Sequence, residues 1–435
     1  MRLGTTHLTR VALERWQLDR LNEAVAWGRG RSPFYKRLYG SLPAVPLQSL
    51  SQLADLPFVT EADVEERGLD MLCVSQGDIA RVVTLPTSGT TGPPKRVWFT
   101  EPDLELTVEH FHHGMKNLVR TGECVLVLMP GERPGTVGAL LRTALERSGT
   151  ETIIYGFLDD TEAVSRVVEE REVDCLVGVP GQVLALARSK EGRRIARGRL
   201  KSVLLSGDYV SRALRDGIVA AWECAVFEHY GSTEMGLGGA VQCQAFAGRH
   251  IREADLLFEV VEPATGRSKP DGEEGEIVVT TLTRKGMPLI RYRTGDRGRI
   301  LPHPCPCGSI LRCLDKVRGR LVDTVHLGSG DMLAMADLDE VLYELPWVIG
   351  FSARMTREGG SDRLLLDMEA VTGTSADAAR EVEKRAAAAP GIARAGLKVD
   401  AVVTGERGAS VGTAKRRIED ERGHCVARRP GGRGR

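Results

Sequence analysis

The sequence predicts an α/β protein: a large N-terminal domain on a doubly wound sheet with a β-rich subdomain, then a small α+β domain. Three observations predict it. From residue 79 to about 230, strand-like and helix-like segments alternate, the pattern of parallel strands with helices on both faces. Between about 240 and 320 the texture turns to short β-branched segments punctuated by Gly272, Gly275 and Gly286. After Gly319-Arg320 it changes again. At 435 residues the chain exceeds one ordinary core. The expected division is 1–320, with the β-rich part at about 240–320, then 321–428, then an Arg/Gly/Pro-rich tail at 429–435 expected to be disordered.

Residues 8–40 read as helix, with Leu13, Trp16, Leu21, Ala24 and Val25 at helical spacing and a break at Ser32-Pro33. Strands are expected at 81–85, 124–129, 152–155, 175–179, 202–206 and 225–228. Helices are expected between them at 102–118, 137–147, 161–171, 181–189 and 211–222. The β-rich part offers strands at 255–262, 276–283 and 297–301. The last domain offers helices at 338–345 and 376–388 and strands at 348–355, 364–368 and 397–403. No internal repeat is evident.

Lys+Arg and Asp+Glu both number 59, so no global field favours nucleic acid or an acidic membrane surface. No run approaches the ~20 apolar residues of a membrane span, and residues 1–19 lack the apolar core of a secretory signal. Five of the nine cysteines are scattered; Cys243, Cys305, Cys307 and Cys313 fall in one region. A reducing cytoplasm with one metal site is expected, not a disulfide framework.

The stretch Thr87-Ser88-Gly89-Thr90-Thr91-Gly92-Pro93-Pro94-Lys95 follows the first expected strand. Glycines turn backbone N–H groups towards an anion and hydroxyls add donors, so it suits phosphate; alone it is equally a surface turn. It lacks the order of a Walker A loop. Its position after a strand matches the rule that open sheets bind ligands beyond the carboxyl ends of their strands. Glu228-His229-Tyr230-Gly231-Ser232-Thr233-Glu234 follows another expected strand: a tyrosine to stack on a base, a threonine for phosphate, and a glutamate for Mg²⁺. Arg291-Tyr292-Arg293-Thr294-Gly295-Asp296 is read as a loop after a strand, with the aspartate placed to accept both hydroxyls of a ribose. Cys305-Pro306-Cys307-Gly308 sets two thiolates on a tight turn. With Cys243 and His250 they make a three-sulfur, one-nitrogen set suited to structural Zn²⁺, and Cys313 could replace any one. The other reading is buried free thiols.

In this order and spacing the four segments resemble the adenylate-forming (ANL) superfamily of acyl-CoA synthetases, adenylation domains and luciferases. The chain length, the early Ser32-Pro33-Phe34-Tyr35, the run from Pro288 to Asp296, and the Cys-Pro-Cys-Gly turn resemble its phenylacetate-CoA ligase branch. The resemblance implies a ligase that joins a carboxylic acid to AMP from ATP-Mg²⁺ and passes the acyl group to CoA. The small domain would be mobile, turning about a hinge near Arg320–Asp323, and the protein would be a homodimer. Zinc at the cysteine turn is likewise a property of some members. By position, Ser88, Gly89, Thr90, Thr91, Gly92 and Lys95 would cradle the β- and γ-phosphates. Gly207-Asp208, Glu228, His229, Tyr230 and Gly231 would border the adenine. Thr233 would touch the α-phosphate, Glu234 would carry Mg²⁺, and Asp296 with Arg320 would hold the ribose.

The chain departs from the family near its end. Gly-Lys-Ala-x-Arg is replaced by Gly412-Thr413-Ala414-Lys415-Arg416. Lys415, two residues on, stays on the same face of an extended segment and is the expected replacement cation; otherwise it is a solvated surface charge. Met129, Val137, Tyr155, Phe157 and the glycines after Glu234 are expected around the acid, with an aryl or arylalkyl group favoured. His110, His112 and His113 read as partly exposed helix residues. Two rival functions stay open: adenylyl transfer to another acceptor, such as a deazaflavin coenzyme or a carrier protein, and a non-catalytic nucleotide-binding homologue.

Overall fold

The computed structural model describes residues 8–43, 46–85, 94–371, 373–375, 377–405 and 416–422. The N-terminal helix α1 (Arg10–Arg31) starts where the Thr9 hydroxyl accepts from the Ala12 amide. It ends at Ser32, which caps α2 (Pro33–Leu38) with proline at the first helical position. Helix α3 (Glu61–Arg67) opens on a reciprocal cap between Thr60 and Asp63.

Strands β1 (Ile79–Leu85) and β2 (Lys95–Thr100) pair only with each other, as an antiparallel ribbon. The Thr/Gly stretch therefore joins two ribbon strands and does not follow a strand of the wound sheet, as its position had implied. Local alternation had revealed a strand but not its partner. Helix α4 (Glu101–Met115) carries a Thr100–Asp103 capping box. There follow β3 (Cys124–Leu128), α5 (Val137–Glu146), β4 (Glu151–Ile154), α6 (Thr161–Glu170), β5 (Cys175–Gly178), α7 (Pro180–Arg188), β6 (Ser202–Ser206), α8 (Arg212–Trp222) and β7 (Ala225–Tyr230). Strands β3 and β5 are buried throughout, as expected of strands covered on both faces.

Next come β8 (Ala240–Gln242), β9 (Arg249–Ile251), β10 (Leu256–Val261), β11 (Gly275–Thr281), β12 (Tyr292–Gly298) and β13 (Cys313–Leu314). The main sheet has the order β13-β9-β8-β7-β6-β5-β3-β4, parallel from β7 to β4. Strands β10, β11 and β12 form a separate antiparallel sheet. The strand expected at 297–301 is instead β12, so Asp296 sits in a strand and not in a loop. The run looks too polar for a strand, but Glu276 and Glu274 neutralise Arg293 and Arg297 and make the strand compatible with the sheet.

The C-terminal part holds β14 (Val325–His326), β15 (Met332–Leu333), α9 (Met335–Leu342), β16 (Val348–Glu358), β17 (Ser361–Ala370), α10 (Ala378–Ala387), α11 (Pro390–Ala395), β18 (Lys398–Gly405) and β19 (Ile418–Asp420). Its sheet runs β18-β17-β16-β19. One buried apolar cluster extends from the main sheet through Leu184 and Leu214 to Leu338, Leu342 and Val348. Arg188 of α7 crosses this junction and donates to the carbonyls of Tyr343 (2.7 Å), Leu345 (3.0 Å) and Val348. Among the described residues no helix is long and apolar enough to cross a membrane.

Candidate active site

Strands β6 and β7 are parallel neighbours with Ser206 opposite His229, so both chains leave the sheet side by side. The first turns at Gly207, whose φ of 96° favours glycine. The second passes Gly231, where a Cβ would lie 2.5 Å from the Leu237 carbonyl oxygen and 2.9 Å from the His229 ring. These two turns bound a cavity whose opposite wall is Gly319, Arg320, Met335 and Arg416. The Tyr230 hydroxyl donates to Asp296 Oδ2 at 2.6 Å. Arg320 Nε lies 3.6 Å from the other oxygen of Asp296. An acid and a cation from two different elements thus share one edge of the cavity.

Behind that edge lies a buried charge cluster. Lys95, the first residue of β2, puts Nζ 2.6 Å from Glu234 Oε1 and also pairs with Glu61. Glu234 belongs to the short 3-10 turn Thr233–Met235 and also accepts from the Tyr292 hydroxyl at 3.3 Å. Burial opposes ionisation of Glu234, but Lys95 outweighs it and holds the carboxyl down at about 2. Burial likewise opposes charge on Lys95, and its two carboxylates outweigh that and raise it.

The structure thus brings together Lys95, Gly207, Asp208, His229, Tyr230, Gly231, Thr233, Glu234, Asp296 and Arg320. Glu228 stands apart: its carboxylate pairs with Arg249, and its amide donates to Gln242 Oε1 at 2.9 Å. Ser88, Gly89, Thr90, Thr91, Gly92, Thr413 and Lys415 lie outside the described residues. Four residues that sequence reasoning missed complete the site. Glu61 sits in the first turn of α3, marked by its capping signal but 34 residues from its partner. Tyr292 was hidden inside the Arg/Tyr/Arg run. Arg416 places Nε 3.0 Å from Asp208 and grips Asp339 with two bonds of 2.7 and 2.8 Å.

A second, apolar cavity adjoins the first, with Met129, Val137, Leu141, Val177 and Leu204 among its walls. Tyr155 and Phe157 do not line it. His110, partly exposed as read, does line it, because α4 lies across the cavity. A Cβ on Gly238 would come 2.2 Å from the His110 ring; that glycine makes room for His110, not for a ligand.

Cys243, His250, Cys305 and Cys307 bring one ligand atom each within 4.8 Å of one another. Sγ of Cys243 and Cys305 are 3.6 Å apart, and Cys307 Sγ is 3.3 Å from His250 Nε2. Cys313 faces the other ring nitrogen, Nδ1, at 3.6 Å. Three thiols and an imidazole nitrogen converging this way fit Zn²⁺ in donor type and number. Glu234 and Glu61 are hard oxygen donors of the kind Mg²⁺ takes, and both pair here with the Lys95 ammonium.

Residues 52–283 match the family model described as AMP-binding enzyme. The phenylacetate-coenzyme A ligase of Aromatoleum evansii is 29% identical over 81% of this chain and 80% of its own. That of Thermus thermophilus is 28% identical over 83% and 82%. The fold is similar to a crystal structure of 2-hydroxyisobutyryl-CoA ligase in the postadenylation state, with a TM-score of 0.80 at 21% identity over 95% of this chain and 90% of that one. With its parallel sheet, polar cavity and match over more than half its length, the chain belongs to the AMP-binding enzyme family and is an AMP-forming ligase of the adenylate-forming superfamily, in its phenylacetate-CoA ligase branch.

Proposed function

We propose that the chain joins an aryl or arylalkyl carboxylic acid to CoA through an acyl-adenylate. One observation carries this: the polar cavity, with its Asp296–Arg320 edge suited to a ribose, shares the His229 wall with an apolar cavity. A nucleotide and an apolar acid bound in the two would meet at their reactive ends. Gly207, Asp208, Tyr230 and Gly231 border the base, and Asp296 accepts from the ribose hydroxyls. Thr233 and the Thr/Gly stretch from Ser88 to Gly92 bind phosphate. Glu234, with Glu61, holds Mg²⁺, which offsets the repulsion between carboxylate and triphosphate. Lys415 supplies the cation that Thr413 lacks. Orientation of the two reactants then does most of the catalytic work. Zn²⁺ at Cys243, His250, Cys305 and Cys307 closes the β-rich part as a structural site. The chain divides near Arg320, works as a homodimer, and resides in the cytoplasm.

The test is pyrophosphate release with ATP and Mg²⁺ across aryl, arylalkyl and fatty acids, with and without CoA. Release that depends on aryl acids and rises with CoA is expected. Release without any CoA effect would favour another acceptor, and silence with ATP still bound would favour a non-catalytic homologue. Lys415→Ala should lower exchange of ATP with pyrophosphate by orders of magnitude while ATP binding persists; unchanged exchange removes Lys415 from the mechanism.

A further inference from the structure

Two imidazoles in the acid's cavity are not used by the adenylation chemistry. His229 lines both cavities and so stands at their border. Its Nδ1 lies 2.8 Å from Ser206 Oγ, which fixes the ring. Its Nε2 is buried and has no hydrogen-bond partner among the described residues. A buried nitrogen of this kind is unfavourable unless a ligand pairs with it. His110, from α4, lines the same apolar cavity with its ring centroid 6.1 Å from that of His229. Both rings are held neutral: burial pushes His229 down to about 4 and His110 well below the ordinary range. A neutral imidazole offers one N–H and one bare nitrogen, so it pairs with an uncharged hydroxyl or amino group. Neighbouring walls such as Met129, Val177, Leu204 and Val241 offer no hydrogen bond of useful strength.

We infer that His229, with His110 beside it, selects acids bearing a hydroxyl or amino group on, or next to, the carbon attached to the carboxyl. The inference rests on the reading that the apolar cavity holds the acid. The carboxyl must face the nucleotide, and His229 is at the border, so the acid's atoms nearest to it are those within two bonds of the carboxyl carbon. A substituent at the far end of the ring would meet only apolar wall.

The experiment measures binding and turnover separately in the full-length protein. Calorimetry compares benzoate with 2-hydroxy-, 2-amino- and 4-hydroxybenzoate, and phenylacetate with its α-hydroxy derivative. The near-substituted acids should bind about tenfold more tightly than their parents, the worth of one good buried hydrogen bond. 4-Hydroxybenzoate should gain nothing. His229→Leu should bring the ratio to about one, and His229→Gln should restore part of it. A purely structural role for His229 would weaken all acids alike. Equal binding by the unchanged protein, or a preference that survives His229→Leu, overturns the inference. Pyrophosphate release from the same acids reports the ligase reading on its own: if none is released, that reading falls, while the binding ratio still decides the role of His229.

Discussion

Lys95 and Glu234 are each almost wholly removed from water, with side chains 4% and 3% exposed, and neither charge is stable there without the other. Removing one partner of such a pair typically costs about 3–5 kcal/mol, because the survivor stays buried and unpaired. Lys95→Met should therefore lower stability to urea by that order as well as abolish adenylation. The pH dependence has a definite sign. Glu234 is depressed to about 2 in the folded protein, so its contribution is complete above the unfolded value of about 4.3 and is lost as pH falls from there towards 2. The native protein should lose stability through that window, and Lys95→Met should lose less; urea midpoints at pH 7 and pH 3 compare them. At this scale the sequence was informative about chemistry and silent about pairing. Glu234 and Asp296 stood out by type and spacing, and Arg320 through the family resemblance. Glu61, Tyr292 and Asp339 did not, since each acts through a partner from a distant element.

Elements show a different balance. The alternating strands and helices of the wound sheet were legible because burial on both faces leaves an apolar run, and their ends differ from expectation by a few residues only. The two misjudged segments share a cause. Strand β12 is a charged run made compatible with a sheet by Glu276 of β11 and Glu274 just before it, and β1 pairs with β2, not with the sheet its spacing pointed to; in both cases pairing across the fold decides. The cysteine turn between β12 and β13 was legible through its ligand chemistry. The native protein should contain about one zinc per chain by metal analysis. Cys305→Ser should lose it, with a lower melting temperature and faster amide exchange in β9 and β13, which pair at His250 and Cys313. Full exchange protection after complete metal removal would show that β-sheet pairing alone holds this part together.

On the scale of the molecule, polar contacts fasten the C-terminal part to the main sheet among the described residues. Arg188 holds three of its carbonyls, and Arg416 joins Asp208 to Asp339 beside the polar cavity. Tyr209 adds a bond of 2.6 Å to Glu340. Arg416→Met would leave Asp339 buried without its cation, so nucleotide affinity should fall and the C-terminal part should become the first region cut by a protease. Limited proteolysis with and without ATP reads this, and protection equal to that of the native protein would mean the apolar contacts suffice. The cavity that these fastenings border takes its walls from both parts of the chain. Where release of a ligand from it requires the two parts to separate, that motion works against the friction of the surrounding liquid. If release limits turnover, kcat should fall as glycerol or sucrose thickens the medium, and Arg416→Met, already loosened, should feel that drag less.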